Sequence, residues 1–230
     1  MITIVVAHFK EDLSWLEKSP YPVVVCDKAG ALQPSPFQSD PKCSLPVNLG
    51  REAASYLKYI IEYWDELPEH VAFIHGHEDA WHQKYPGSLL DAMKNARIDK
   101  YDYISLNNWI HVSTPVRFCT SLDVYPRGET NSHPEVFMLF KHHWDLFKQI
   151  FKKESVPEYF KFNCSAQFIV SRNAIKNNPK TLYEELFQFV KNDTYWTTIL
   201  LEFAWDNLFG DIQDYADDEE YRKLRFSSTI

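Results

Sequence analysis

A short apolar run near the middle of the chain ends abruptly in histidines and carboxylates. The run Val71–Ile74 is followed by His75, His77, Glu78, Asp79 and His82. Carboxylate oxygens suit Mg²⁺ or Mn²⁺, whereas imidazole nitrogens suit softer metals. The carboxylates are the preferred ligands, because the histidines lack the spacing of a helical zinc-hydrolase motif and no cysteine pair lies nearby. The residues alone indicate either a divalent-metal site or an ordinary polar surface loop.

A second chemical feature is the predicted start of a helix at Gly50 and Arg51. Apolar residues recur at helical spacing between positions 53 and 64, and Asn48 is the expected cap of this helix. Free backbone N–H groups, a glycine that permits close approach and an arginine fork together suit a diphosphate. The alternative is that Arg51 only pairs with Glu52 at the surface.

A third feature is Glu202, which lies among apolar residues in a predicted helix over 197–208. A carboxylate drawn toward an apolar face needs a partner or a function. The equally open alternative is an exposed glutamate on the outer side of the helix.

The elements that must position these residues are typical of an α/β fold. A β-branched run from Ile2 to Phe9 predicts a central strand, and an acidic helical turn follows it. A second apolar strand ends at Asp27. Two parallel strands would bring His8 and Asp27 to one edge of the sheet, where ligands of such folds collect.

The remaining pattern predicts further helices and strands along the chain. Helices are expected over 87–96, 135–151 and 181–190, and strands over 103–107 and 166–170, with Arg172 and a new helix after the last strand; proline-rich residues 29–47 and the irregular region 109–134 are expected to be loops. We expect one domain over 1–210 and an acidic tail over 211–230, since no linker composition divides the chain.

Composition narrows the partners. The chain has 230 residues and a formal net charge of −8, which argues against a nucleic-acid-binding surface. No run approaches a membrane span, and the N-terminal residues lack the pattern of a signal peptide. Four widely spaced cysteines, Cys26, Cys43, Cys119 and Cys164, are expected to be reduced thiols of a cytoplasmic protein. Aromatic residues make up 16% of the chain and offer stacking faces to a sugar or a nucleobase.

The order of motifs resembles a known family. The motifs are Ala-His-Phe at 7–9 with Asp-Leu-Ser-Trp-Leu at 12–16, Asn-x-Gly-Arg-Glu-Ala at 48–53, Leu-Pro-x-His-Val-x-Phe-x-His-Gly at 67–76, Cys-x-Ala-Gln-Phe-x-Val-Ser-Arg at 164–172 and Glu-x-x-Trp-x-x-x-Phe-Gly at 202–210. They resemble a family of fungal and algal-virus proteins, many of them catalogued as a domain of unknown function. One branch, in large viruses of chlorella-like algae, is similar to GT-A glycosyltransferases that build capsid-protein glycans.

The resemblance implies a GT-A fold, with a central, mostly parallel mixed sheet flanked by helices. It also implies a function, the transfer of a hexosyl or deoxyhexosyl group from a nucleotide-diphosphate donor, with a UDP-sugar favoured, to a glycan or glycoprotein acceptor. The implied compartment is the cytoplasm, of the host cell if the protein is viral.

The resemblance also assigns roles to residues. Ala7, His8, Phe9 and Asp27 would receive the nucleoside, and Asn48, Gly50 and Arg51 would lie near the diphosphate. The usual Asp-x-Asp metal motif is replaced by His77-Glu78-Asp79, so Asp79 is the expected ligand of Mn²⁺ or Mg²⁺, with Glu78 beside it. Asn163, Gln167 and Arg172 would line the sugar or acceptor side, with Trp81 or Trp205 as stacking platforms.

Glu202 is the expected base if the reaction inverts the anomeric centre, whereas a retaining reaction needs no such base. The missing intact metal motif leaves a second hypothesis, a catalytically silent nucleotide- or carbohydrate-binding module. A metal-dependent hydrolase that uses the His-rich loop is a third hypothesis.

Overall fold

The computed structural model describes residues 1–30, 36–78, 88–106, 122–124, 134–156, 160–162, 166–192 and 195–210. The strands are β1 Ile2–His8, β2 Val23–Asp27, β3 His70–His75, β4 Tyr103–Ser105, β5 Leu122–Val124, β6 Phe160–Phe162 and β7 Phe168–Ser171. The α-helices are α1 Arg51–Glu62, α2 Leu89–Lys94, α3 Pro134–His142, α4 Trp144–Phe151, α5 Arg172–Lys176, α6 Lys180–Lys191, α7 Tyr195–Glu202 and α8 Trp205–Phe209, and a 3-10 helix spans Ser14–Lys18. The predicted acidic tail over 211–230 lies outside the described residues.

Five strands form one mixed sheet in the order β2-β1-β3-β7-β4. β1 pairs in parallel with both β2 and β3, whereas β7 is antiparallel to β3 and to β4. Four strands therefore run in one direction and β7 alone runs in the other. This arrangement confirms the expected α/β class with a mixed sheet flanked by helices, in which two of the four pairings are parallel and two are antiparallel. β5 and β6 pair separately as two antiparallel strands.

The sheet is buried because its strands are apolar on both faces. Ile4, Val5 and Val6 of β1 and Phe73 and Ile74 of β3 are fully buried. Parallel strands covered by helices on both sides favour such continuous β-branched and apolar runs. The same runs made β1 and β3 predictable from sequence.

The start of α1 differs from the prediction. Its N-cap is Gly50, in the left-handed conformation with φ of 61°, and Asn48 lies two residues before the cap. A Cβ at Gly50 would lie 2.6 Å from the Cβ of Ala54 and 3.3 Å from Val190 on α6. Glycine is thus required both for the turn into the helix and for the close approach of α6. By contrast, Ser88 caps α2 with its side chain, in a capping box with Asp91.

Two long predicted helices are each divided. The predicted helix over 135–151 is α3 and α4, which are separated at His143, and the one over 197–208 is α7 and α8. Apolar spacing continues across both breaks, so periodicity alone did not reveal them.

Cys26 and Cys43 form a disulfide, with their Cα atoms 5.0 Å apart. The expectation that these two cysteines are reduced thiols is therefore wrong. The expectation rested on the wide spacing of the cysteines in the sequence. The loop after β2 folds back along that strand, however, and the backbone N–H of Leu45 donates a hydrogen bond to the carbonyl of Asp27. Disulfides are typical of oxidising compartments, so the cysteines no longer support a cytoplasmic location. Cys119 and Cys164 lie outside the described residues.

Among the helices that the structure describes, none combines the length and the apolar character that crossing a bilayer requires.

Candidate functional site

Polar residues gather at the edge of the sheet where β1, β2, β3 and β4 end. β2 lies on one side of β1, and the next strand along the chain, β3, lies on the other side of β1. The strand order therefore reverses at the boundary between β1 and β3. Crevices outside the carboxyl ends of strands at such a reversal are the usual ligand sites of α/β sheets. We call this region the carboxyl edge; it comprises the ends of β1, β2 and β3, the start of α1 and the end of α7.

His8 and Asp27 lie opposite each other at the ends of β1 and β2. His8 Nδ1 is 2.7 Å from Asp27 Oδ1, and both residues are buried. His8 Nε2 is 3.1 Å from the carbonyl oxygen of Glu11. The prediction that His8 and Asp27 share one edge is confirmed, and the carboxylate and the carbonyl fix the imidazole ring from both sides.

Glu11 joins the segment after β1 to the segment after β3. Its Oε2 accepts a hydrogen bond of 2.5 Å from the Phe9 N–H, and its Oε1 is 3.7 Å from His77 Nε2. A Cβ at Gly76 would lie 2.8 Å from the Cβ of Glu11, and Trp15 Nε1 donates to the Gly76 carbonyl at 3.0 Å. The close packing at Gly76 holds the two segments together beside the strand reversal.

The start of α1 meets the end of α7. Arg51 Nη1 is 3.7 Å from Glu202 Oε1, and the side chains are 44% and 28% exposed. The structure thus brings together two residues that the sequence singled out separately. Arg51 pairs with Glu202 on α7, whereas the simpler interpretation was a surface pair with its neighbour Glu52.

Glu202 holds its proton unusually strongly. Burial raises the pKa of its carboxyl to about 8, the negative charge of Glu52 and a hydrogen bond with Glu52 add to this, and the Arg51 guanidinium opposes it. Glu52 Oε1 is itself buried and accepts no hydrogen bond in the part of the chain that the structure describes. Two carboxyl groups therefore share a partly desolvated position with one cation, a setting in which one carboxyl titrates near neutral pH.

The amino end of β7 reaches the same edge, because β7 runs against its neighbours. Gln167 is fully buried, and its Oε1 accepts a hydrogen bond of 3.2 Å from the backbone N–H of His75. Burial lowers the pKa of His75, which favours the neutral ring. The predicted position of Gln167 beside the site is consistent with this contact.

The other residues predicted to bind the nucleoside, the diphosphate or the metal differ in their burial. Ala7 is buried in β1 between Cys26 and His75, and Phe9 directly follows β1. Asn48 is exposed before the cap of α1, and Glu78 is exposed just after β3. Asp79, Trp81, His82 and Asn163 lie outside the described residues.

Arg172 is not brought to the carboxyl edge. Its backbone N–H donates to the carbonyl of Glu69, just before β3, which is the opposite edge of the sheet. The expectation that Arg172 lines the site beside Gln167 is therefore corrected. The physical reason is the reversed direction of β7, whose two ends lie at opposite edges.

Trp205 is not available as a stacking platform. It is fully buried, and its ring packs against those of Tyr56, Phe168 and Phe209 at centroid distances of 6.2, 5.5 and 5.9 Å. The expectation that Trp205 stacks on a sugar is wrong, because the turn between α7 and α8 directs it into the core.

A divalent ion would need ligands both from the described residues and from residues outside them. Within the described residues, no group of three or more histidine, cysteine or carboxylate side chains is placed to hold a metal. Glu78 offers an exposed carboxylate next to Asp79, and hard oxygen donors of this kind suit Mg²⁺ or Mn²⁺. The expected metal ligand Asp79 stays a prediction.

Three charged residues of the site were missed by sequence reasoning. Glu11 and Lys28 lie outside the sequence motifs, and Glu52 lies within the motif at 48–53 but is interpreted there only as a surface partner of Arg51. Their signal is position alone, because Glu11 and Lys28 follow the ends of β1 and β2 and Glu52 lies in the first turn of α1. Ligand-binding residues of α/β sheets converge at the carboxyl ends of the strands.

The raised pKa of Glu202 predicts that the free energy of unfolding falls as pH rises from about 5 to about 8. The ordinary carboxyl value is 4.5, so between that pH and about 8 the folded protein holds a proton that the unfolded chain has lost. This contribution is complete below the unfolded pKa and is lost as pH rises through the folded pKa, with a slope of at most about 1.4 kcal/mol per pH unit. Urea titrations across this range should show a steeper fall for the wild type than for Glu202→Gln, and equal slopes would contradict the assignment.

A family model described as protein of unknown function (DUF3431) matches residues 4–222. Comparisons with the curated proteins and with the solved structures found no match.

Proposed function

The chain belongs to the DUF3431 family of proteins of unknown function, and we propose that it is a glycosyltransferase of the GT-A fold. It moves a sugar from a nucleotide-diphosphate donor, with a UDP-sugar favoured, to a glycan or glycoprotein acceptor. The observation that supports the proposal is the contact between Arg51 and Glu202, in which a guanidinium suited to a phosphate lies beside a carboxyl whose pKa is raised to about 8. A viral capsid-protein glycan is the acceptor that the resemblance suggests.

Donor binding is assigned to the carboxyl edge. The nucleoside lies against Ala7, His8 and Phe9, where the buried pair of His8 and Asp27 supplies fixed polar atoms at the end of β1 and β2. The diphosphate lies at the start of α1, near Asn48 and Gly50. Free N–H groups of the helix and the Arg51 guanidinium favour negative charge there.

The reaction transfers charge to the departing diphosphate. The bond between the anomeric carbon and the phosphate oxygen breaks, and a bond from the anomeric carbon to the acceptor oxygen forms. Arg51 stabilises the negative charge that develops on the nucleoside diphosphate. A divalent ion held by Asp79 with Glu78 would supply further positive charge, so Mn²⁺ or Mg²⁺ is the proposed cofactor.

Glu202 is assigned to proton transfer in the inverting reaction, where it accepts the proton of the attacking hydroxyl. A base works best when its pKa lies near the working pH, and the pKa of Glu202 is raised to about 8. The Arg51 contact keeps the deprotonated form accessible. Gln167 lies beside the end of β3, at the amino end of β7. It is assigned, with Asn163, to binding of the sugar or the acceptor.

Arg51→Ala is expected to weaken binding of a UDP-sugar about 10- to 100-fold, because charge-assisted hydrogen bonds contribute about 1.5 to 3 kcal/mol. Arg172→Ala is the matched control, since Arg172 lies at the opposite edge and its loss should leave affinity unchanged. Calorimetric titration of both variants measures the difference.

Equal losses in the two variants would contradict the placement of the diphosphate at α1. Binding of the donor without any transfer or hydrolysis would favour the second hypothesis, a catalytically silent module.

A further inference from the structure

Lys28 is a buried cation at the carboxyl edge, and the proposed function assigns it no role. It directly follows Asp27 at the end of β2 and is only 4% exposed. Across the described residues, no carboxylate lies at ion-pair distance from its ammonium group, whereas His8 and Arg51 in the same region each have such a partner. Buried charges in proteins are normally paired, because an unpaired one carries a large desolvation cost.

The backbone at Lys28 is held in place from two sides. Its N–H donates to the carbonyl of His8 at 3.1 Å, and the next residue, Ala29, donates to Leu45 at 2.9 Å. The disulfide of Cys26 ties the same segment to Cys43. Lys28 is therefore presented to the carboxyl edge by a fixed scaffold and not by a free loop.

The charges around Lys28 come from three parts of the chain: the segment after β1, the end of β2 and the start of α1. Burial is the largest influence and lowers the pKa of Lys28; Glu52 and Glu11 raise it, Arg51 lowers it and Asp27 raises it. Two cations thus lie within electrostatic reach of each other beside the start of the 12-residue helix α1. An anion placed between them would give both a close partner and would also meet the free N–H groups of the helix.

We propose that Lys28 contacts a phosphoryl group of the ligand that binds at the carboxyl edge. The inference rests on the proposed function, which places a diphosphate beside Arg51, and it adds a second cation to that group. Lysine acts there as a point charge, whereas Arg51 provides the planar fork. The ordinary alternative is that Lys28 only balances Glu52, Glu11 and Asp27 at a distance.

The two interpretations predict opposite effects of Lys28→Met on the protein without ligand. If Lys28 is a ligand contact, removing an unpaired buried charge leaves the melting temperature equal or higher. If Lys28 balances the carboxylates, its removal leaves them uncompensated and lowers the melting temperature. Lys58→Met is the matched control, because Lys58 Nζ donates to the Ser44 carbonyl at 2.7 Å and has a structural role.

The test measures binding of inorganic pyrophosphate by calorimetry and thermal shift in the wild type, Lys28→Met, Lys28→Arg and Lys58→Met. We expect Lys28→Met to keep or raise the melting temperature and to lose at least about tenfold in pyrophosphate affinity, a loss of about 1.4 kcal/mol. Lys28→Arg should retain most of the affinity. Lys58→Met should melt at a lower temperature with unchanged affinity.

The inference is overturned if the wild type does not bind pyrophosphate, or if Lys28→Met binds it as tightly as the wild type does, whatever the melting temperature of the variant. These outcomes are distinct from failure of the proposed function. Sugar transfer by the wild type with unchanged affinity in Lys28→Met would remove only the inference. Lys28-dependent pyrophosphate binding by a protein that consumes no nucleotide sugar would remove only the proposed function.

Discussion

Glu202→Gln is expected to lower the rate of sugar transfer by a factor of about 10² to 10⁴, the usual contribution of a general base. Glutamine keeps the size of the side chain but cannot accept the proton of the acceptor hydroxyl. Since Glu202 is assigned to the acceptor proton and not to the diphosphate, affinity for the donor should change only a few-fold. Steady-state rates and a calorimetric titration of the donor measure the two effects separately.

Glu185→Gln is the matched control for this substitution, because Glu185 lies exposed on α6 and should tolerate the change without effect. A transfer rate within a few-fold of the wild type in Glu202→Gln would contradict the base assignment. That outcome would favour a retaining reaction, in which a phosphate oxygen takes the proton.

Removal of the disulfide by the double substitution Cys26→Ser, Cys43→Ser is expected to lower the free energy of unfolding by about 3 kcal/mol. The bridge joins residues 17 positions apart, and closing a loop of this size stabilises a fold by about that amount. For a chain of this length the melting temperature should fall by roughly 6 to 12 °C. Denaturant titration with and without a thiol reductant measures the change.

The double variant is its own control for the reductant, which should destabilise the wild type and leave the variant unaffected. If reductant changes neither protein, and Cys26 and Cys43 of the wild type both react with a thiol reagent after unfolding without prior reduction, the bridge is absent. The cytoplasmic expectation would then regain its support from the cysteines.

The sheet and one corner of the site could be predicted from local sequence. The β-branched runs of β1 and β2 fixed their strand character, and parallel pairing then required His8 and Asp27 to meet at one edge. The same reasoning located His75 and Glu78 at the end of β3. Each of these predictions needed only the period of the pattern and the direction of the strand.

The remaining features depend on contacts between residues far apart in the chain. Arg51 meets Glu202 because α1 packs against α7, and the disulfide forms because the loop after β2 returns to the strand. The direction of β7, which removes Arg172 from the site, is a property of sheet topology that a single apolar run does not encode.

Burial was the second quantity that sequence reasoning could not supply. Trp205 and Glu202 lie three residues apart, yet the first packs into the core and the second faces the carboxyl edge. Helical spacing predicted a single apolar face for one continuous helix. Because the helix is broken between α7 and α8, the residues that face the core differ from those of the predicted apolar face.

The most direct test of the central claim is release of nucleoside diphosphate from a panel of nucleotide sugars, with Mn²⁺ and with Mg²⁺, by the purified wild-type chain. The account predicts release from at least one donor, a UDP-sugar in the favoured case, with a rise in melting temperature on binding that Asp79→Ala abolishes and with strongly reduced release by Glu202→Gln. No release and no thermal shift with any nucleotide sugar would contradict the assignment of the carboxyl edge to a glycosyltransferase.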